Sequence, residues 1–313
     1  MAAWRSKTLL WFVLVAFPAT GRTSAAVSEV VELQSEHFRL EVPAANRRLG
    51  EKILAIAESA RQSVLDQLPQ ALDERVGLAW CATESEFYKR LGERRGSLLA
   101  AAVPSIRRVY LNGEPLQRLD HGRLHQALVH EFVHVYIGRA IHEPIPLWLH
   151  EGLAMYVSRE WDLGDAAALA ADSLFGALIP ADQLTRSFPS DPSRQPRAYR
   201  QSYSMTTFLL DLRFPTSGVQ GLVADLVQSS ERSVMRPLLS DPNWIADFDR
   251  QWRQQWVRPG RITLILTSSG TFWMLVTGLF LAAYLRKRRT RKRREARWAM
   301  EEEFTYHGDE FDD

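Results

Sequence analysis

Polar and apolar residues alternate along "EHFRLEV" (36–42), the period of a strand with one face buried. The period then lengthens. Leu49, Ile53, Ile56, Ala60, Val64 and Leu68 recur at helical spacing through 44–68, which predicts a helix with a single apolar stripe. "RVGLAWCAT" (75–83) reads as a second strand, and "ESEFYKRLG" as a short helix opened by Thr83 and closed by Gly92. "SLLAAAV" and "IRRVYLN" flank Pro104-Ser105 and predict a hairpin, with Asn112-Gly113 as the next turn. A helix from Asp120 to about Gly138 follows, and a second begins at Pro146. Beyond residue 158 the pattern is helical: "DAAALAADSLFGAL", "AYRQSYSMTTFLLDLRF", "GLVADLVQSS" and "NWIADFDRQWRQQW" are separated by turns rich in Pro, Ser and Gly. A small mixed sheet with helices, followed by a helical half, predicts an α+β fold. No internal repeat is visible.

Two segments fall outside that pattern. Arg5 and Lys7 precede an apolar run from Leu9 to Phe17, with small residues around Ala25, the order of a secretory signal over 1–25. An uncleaved anchor is the other reading of that run. Ile262–Leu285 carries no charge, and as a helix would reach about 36 Å, enough to span a hydrocarbon core. "RKRRTRKRR" follows it directly, and a basic cluster beside an apolar span marks the cytoplasmic side. The chain therefore divides into a signal (1–25), an extracytoplasmic domain (26–258), a transmembrane helix (262–285) and a cytoplasmic tail (286–313), basic and then acidic.

That division changes the meaning of the formal charge of +2. The cations concentrate in the signal and after the span, the acids in "EEEFTYHGDEFDD", and the domain between is left slightly acidic. No polyanion partner is indicated there, and the basic run beside the span reads as lipid contact, not nucleic-acid binding. The acidic tail can offer a surface to a cytoplasmic partner. Cys81 is the only cysteine, so the exported domain relies on its core without disulfides, and Cys81 reads as a buried small hydrophobe.

The candidate chemistry lies in "LHQALVHEFVHVYIGRAIHEPIPLWLHEGLAMYV" (124–157). His130 and His134, four apart on a helix, stack on one face and can share a small cation. Leu124, Leu128, Phe132 and Val135 face the other way, toward a core. Catalytic zinc needs a third protein ligand, and Glu151, one turn into the helix that starts at Pro146, is placed to supply it. Glu131, about 100° round from His130, is poorly set to ligate but well set to take a proton from a zinc-activated water and pass it to a leaving amine.

"HEFVH" followed by "PLWLHEGLA" resembles the gluzincin metallopeptidases, relatives of thermolysin and the zinc aminopeptidases, and more narrowly the bacterial peptidase MA-like group. The likeness extends over roughly 36–256 and implies a thermolysin-like core. It implies His130, His134 and Glu151 as ligands of Zn2+ and Glu131 as general base and acid. "AYRQSYSMTTFLL" is similar to the helix that carries an oxyanion-stabilising tyrosine in the aminopeptidase branch, which puts Tyr199 in that role, with Tyr203 one turn on as the alternative. "IRRVYLN" stands where the superfamily has its substrate-pairing edge strand; Arg107 and Arg108 equally suit an edge kept soluble. The motif that holds a free N-terminus in zinc aminopeptidases is absent, which favours an endopeptidase. Met155 stands where thermolysin-like enzymes place a histidine-orienting acid, and His142 and His150 lack ligand spacing.

The reading that follows is a single-pass membrane protein, in a bacterial inner membrane by the resemblance, whose exported domain is a zinc metallopeptidase acting on peptides or proteins. A non-catalytic adaptor with a structural zinc, and a hydrolase directed at lipid or cell wall, are the alternatives.

Overall fold

The computed structural model describes residues 29–69, 74–92, 98–228, 231–257, 274 and 276–288. Among these residues five strands form one sheet in the order β1-β2-β3-β5-β4: β1 (Val30–Gln34), β2 (Phe38–Pro43), β3 (Val76–Cys81), β4 (Ala100–Val103) and β5 (Arg108–Asn112). The central strands β2, β3 and β5 are parallel, and β1 and β4 close the two sides antiparallel. Helix α1 (Arg47–Leu65) makes the crossover from β2 to β3, burying Ile53, Ile56, Ala57, Ala60 and Val64 beneath the sheet. Helix α2 (Glu84–Leu91) covers the opposite face, where Cys81, Phe87 and Tyr88 form a small separate core. Its ends are those expected: Thr83 Oγ1 accepts from the amide of Glu86, and Gly92 turns the chain at φ 73°.

Three features differ from the sequence reading. β1 was not anticipated, because as an edge strand it buries only Leu33 and shows no clear alternation. Asn112-Gly113 does not turn the chain back; Asn112 opens the four-residue helix α3 (Gly113–Leu116), and Gly113 lies where a Cβ would sit 2.7 Å from the Trp80 ring. The third difference bears on the site. "IRRVYLN" was placed at the sheet edge, yet β5 is paired on both sides, and the edge is the short strand β4.

Asn112 N–H donates to Leu99 C=O (2.9 Å), which fixes the alternation of this antiparallel pair. Ala101 and Val103 turn their backbone groups toward β5, while those of Ala100 and Ala102 point out of the sheet. The face they meet is helix α4 (His121–Ala140), capped by Asp120 Oδ1 accepting from Arg123 N–H (2.8 Å). Two contacts fix α4 against the sheet. Phe132 stacks on Phe38 of β2 (4.8 Å between centroids), and Gly138 lets the Pro104 turn of the hairpin settle on the helix, a Cβ there falling within 3.0 Å of Pro104 Cγ.

The second half is helical, as expected: α5 (Leu147–Ser158), α6 (Leu163–Leu174), α7 (Ala181–Arg186), α8 (Gln195–Arg213), α9 (Gly218–Val227), α10 (Met235–Ser240) and α11 (Pro242–Gln251), which runs on into a π-helical turn (Trp252–Val257). Helix α5 lies between α4 and α8. Gly152 allows α5 and α8 to close: an added Cβ would lie 2.9 Å from the carbonyl carbon of Ser202 and nearer still to Ser202 O and Thr206 Oγ1. Trp148 on α5 continues the core by stacking on Phe248 of α11.

The signal segment 1–25 lies outside the described residues, as does the tail beyond 288. Of the span 262–285, Met274 and residues 276–285 are described and are helical. Among the described residues no helix is long and apolar enough to cross a membrane.

Candidate metal centre

Helices α4 and α5 bring three donors together. His130 Nε2 and His134 Nε2 each lie 3.6 Å from Glu151 Oε2, and the donor atoms all fall within 4.8 Å of one another. Zinc at about 2.1 Å from tetrahedral donors sets them about 3.4 Å apart, so these two separations suit one shared cation. The two imidazoles are nearly perpendicular (80°, centroids 4.8 Å apart), their ring nitrogens converging from successive turns of α4. The residues predicted as ligands are thus the residues that converge.

Glu131 is buried (8% exposed) on the same helix, in the field of both histidines. Burial raises its pKa, against the opposing pull of His134 and His130. The outward amide of Ala102 on edge strand β4 donates to its carboxylate. Glu151 is held low despite its burial, by the imidazoles of His130 and His134 beside it. His130 is correspondingly raised: burial opposes this, but Glu151 and Glu160 outweigh it. The Glu151 carboxylate and the two imidazoles thus attract one another electrostatically.

Sequence reasoning missed Glu160. With Met155 in the usual position, no acid on α5 orients a histidine, and Glu160 does so from the loop beyond the helix. His130 Nδ1 donates to Glu160 Oε1 (2.9 Å), and Ser158 Oγ donates to the same oxygen (2.8 Å). The loop reaches this position because Arg159 adopts φ 58°, turning the chain so that Glu160 N–H donates to Met155 C=O (3.1 Å). Gln126 of α4 fastens the turn, its Nε2 donating to the carbonyls of Ser158 (3.2 Å) and Arg159 (2.8 Å). A non-glycine residue at positive φ leaves no mark in the sequence; an acid just past a helix end was the only trace.

His150 stacks face to face on His134 (4.5 Å, 11°), and burial beside the other histidines pushes its pKa down to about 4. It therefore belongs to the wall of the site. His134 Nδ1 is buried without a hydrogen-bond partner among the described residues.

Tyr199 and Tyr203 lie on α8. Tyr199 is half-buried, with its ring edge-on to Phe188 (5.1 Å), on the side of α8 that also carries Ser202 and Thr206 toward α5. Tyr203 is occupied by packing: it stacks flat on Trp161 (4.5 Å, 7°) beside Tyr156.

This arrangement can be set beside known families. Residues 109–234 match the model of the Peptidase MA superfamily. The matched stretch starts in β5 and holds all three donors, Glu131, Glu160 and Tyr199, so the part of the chain that builds the centre is peptidase-like. No curated protein matches the chain.

Proposed function

We propose that the chain is a membrane-anchored zinc metallopeptidase, with His130, His134 and Glu151 holding Zn2+ and Glu131 as the general base. The observation that supports this most is the buried Glu131 beside three converging donors. A site that only staples two helices has no use for that carboxylate.

Zinc, when bound, supplies Lewis-acid polarisation of water and of the scissile carbonyl. The remaining roles belong to the chain. A substrate in extended form lies along β4, with the outward carbonyl of Ala102 as its backbone acceptor. Glu131, its pKa raised by burial, accepts a proton from the attacking water on its carboxylate oxygen and returns it to the departing amine nitrogen. Tyr199 donates its phenol O–H to the developing oxyanion, a contribution on the order of 3 kcal/mol for one such donor. Glu160 keeps His130 in the tautomer that presents Nε2.

The reading includes an exported domain at 26–258, a span at 262–285 and a cytoplasmic tail whose acidic end can meet a partner. The substrates are peptides or proteins cut internally. The test is metal content and turnover of the full chain in neutral detergent, alongside Glu131→Gln. About one zinc per chain in both, with turnover of a peptide library lost about 100-fold or more only in the variant, is the expected result. Equal zinc with no turnover in either protein would favour the adaptor. A well-folded chain with no tightly held metal would remove the peptidase reading.

A further inference from the structure

Helix α6 leaves a stripe of apolar surface uncovered. At 100° per residue, Leu163, Ala167, Ala171, Leu174 and Phe175, the residue just past the helix, fall in an arc of about 120°, while Asp165 and Asp172 project from the other side. Asp172 is held there by Arg197 Nε and Arg200 Nη2, each at 2.9 Å. Ala167 and Ala171, in the middle of the arc, are half-buried, and both ends are open: Leu163 is 89% exposed, Leu174 41% and Phe175 85%. Apolar side chains gathered on one exposed helix face mark a contact surface, as the same residues scattered singly would not.

The position of the chain's exit indicates what covers them. Besides α8, helix α6 packs on the π-helical turn Trp252–Val257, the last element before the described residues break off. From Val257 to Ile262, where the charge-free stretch begins, are five residues, at most about 18 Å of chain. Trp256 on that turn is partly exposed (38%), and tryptophan favours the headgroup level of a bilayer.

We infer that the open stripe of α6 rests on the lipid surface beside the membrane span, with Leu163 and Phe175 inserted at the headgroup boundary. This rests on the proposed span and goes beyond it by giving the domain one orientation. The orientation has a consequence for substrate class. Leu163 is three residues from Glu160, whose carboxylate holds His130, so the metal centre stands within about 20 Å of the lipid. Its substrates are then polypeptide segments that emerge from, or lie close to, the same bilayer.

The test places an environment-sensitive maleimide fluorophore at Leu163→Cys, at Phe175→Cys or, for comparison, at Val30→Cys in exposed strand β1, each in the full chain reconstituted in phosphatidylcholine vesicles. Native Cys81 is buried, with its thiol pushed up to about 11, and so does not compete for the label at neutral pH. Lipids carrying a headgroup nitroxide should quench the probes at 163 and 175 at least about twofold more than the probe at 30, as expected at the headgroup boundary. Equal quenching at all three, in a chain that floats with the vesicles and resists alkaline extraction, overturns the inference and leaves the span intact. A chain that does not float overturns the span, and the inference with it.

Discussion

Replacing Gly152 by alanine separates two opposite expectations. In the interior of an ordinary helix the change favours the folded state by about 0.8–1 kcal/mol, through helix propensity. Here the new methyl would sit 2.9 Å from Ser202 C and closer to Ser202 O, so the obstacle is the backbone of α8 and not a movable side chain. Ordinary carbon contact needs about 3.5 Å, so α5 and α8 must separate by about 0.6 Å or more. Overpacking of this kind costs about 1–3 kcal/mol, and an unyielding backbone puts it at the upper end. The net is a loss of about 2 kcal/mol, which in a domain of this size lowers the melting temperature by about 4–8 °C. The displacement also carries Glu151, the adjacent residue, out of a coordination tolerance of about 0.2 Å, so zinc affinity should fall on the order of tenfold. Thermal unfolding followed by far-UV circular dichroism, together with chelator competition, reads both effects. Gly122→Ala, in the open first turn of α4, serves as the control that should show propensity alone. A rise in melting temperature for Gly152→Ala, matching the control, would refute the argument that α5 and α8 are in backbone contact at this point.

Other outcomes follow from the site. Glu160→Ala should weaken zinc binding about 10- to 100-fold while leaving the melting temperature of the metal-free protein within a few degrees, and Glu160→Gln should recover part of the affinity by keeping an acceptor for His130 Nδ1. In the metal-free protein the raised pKa of His130 adds stability that is complete below the usual histidine value and is lost as pH rises through the elevated one. The depressed Glu151 adds stability that is lost as pH falls below the usual carboxylate range. Stabilisation by zinc, measured as the shift in melting temperature on loading, should therefore be larger at pH 8 than at pH 6, where protons already bind the donors together; an equal shift at both would contradict the assignment. Tyr199→Phe should slow turnover about 100-fold without changing zinc content, consistent with loss of a single oxyanion donor.

Much of the centre was legible in the sequence because a helix fixes relative position by itself. Spacing of four put His130 and His134 on one face, and Leu124, Leu128, Phe132 and Val135 are all buried on the other. Glu151 needed a second helix, and the prolines at 144 and 146 announced where it begins. What escaped depended on relations between elements. Alternation identifies a strand but not its neighbours, so β5 was mistaken for the edge that β4 provides. Glu160 depends on a left-handed turn at Arg159, where no glycine advertises the reversal. Gly152 and Gly138 stand in helices where glycine is locally unfavourable, and their reason is visible only once Ser202 and Pro104 are seen against them.

The donor that reaches Glu131 from the edge strand is a main-chain amide, and this limits what a mutational scan can detect. Eighteen of the nineteen exchanges at Ala102 keep the N–H and change only what hangs from the strand, so the position can tolerate varied residues and still serve Glu131. Proline alone deletes the donor. It does so without breaking the ladder, since the Ala102 amide points away from β5 and an edge strand accepts proline there. In a table of substitution scores the contact would therefore show as one intolerant entry in a permissive column, easily dismissed as the ordinary penalty for proline in a strand.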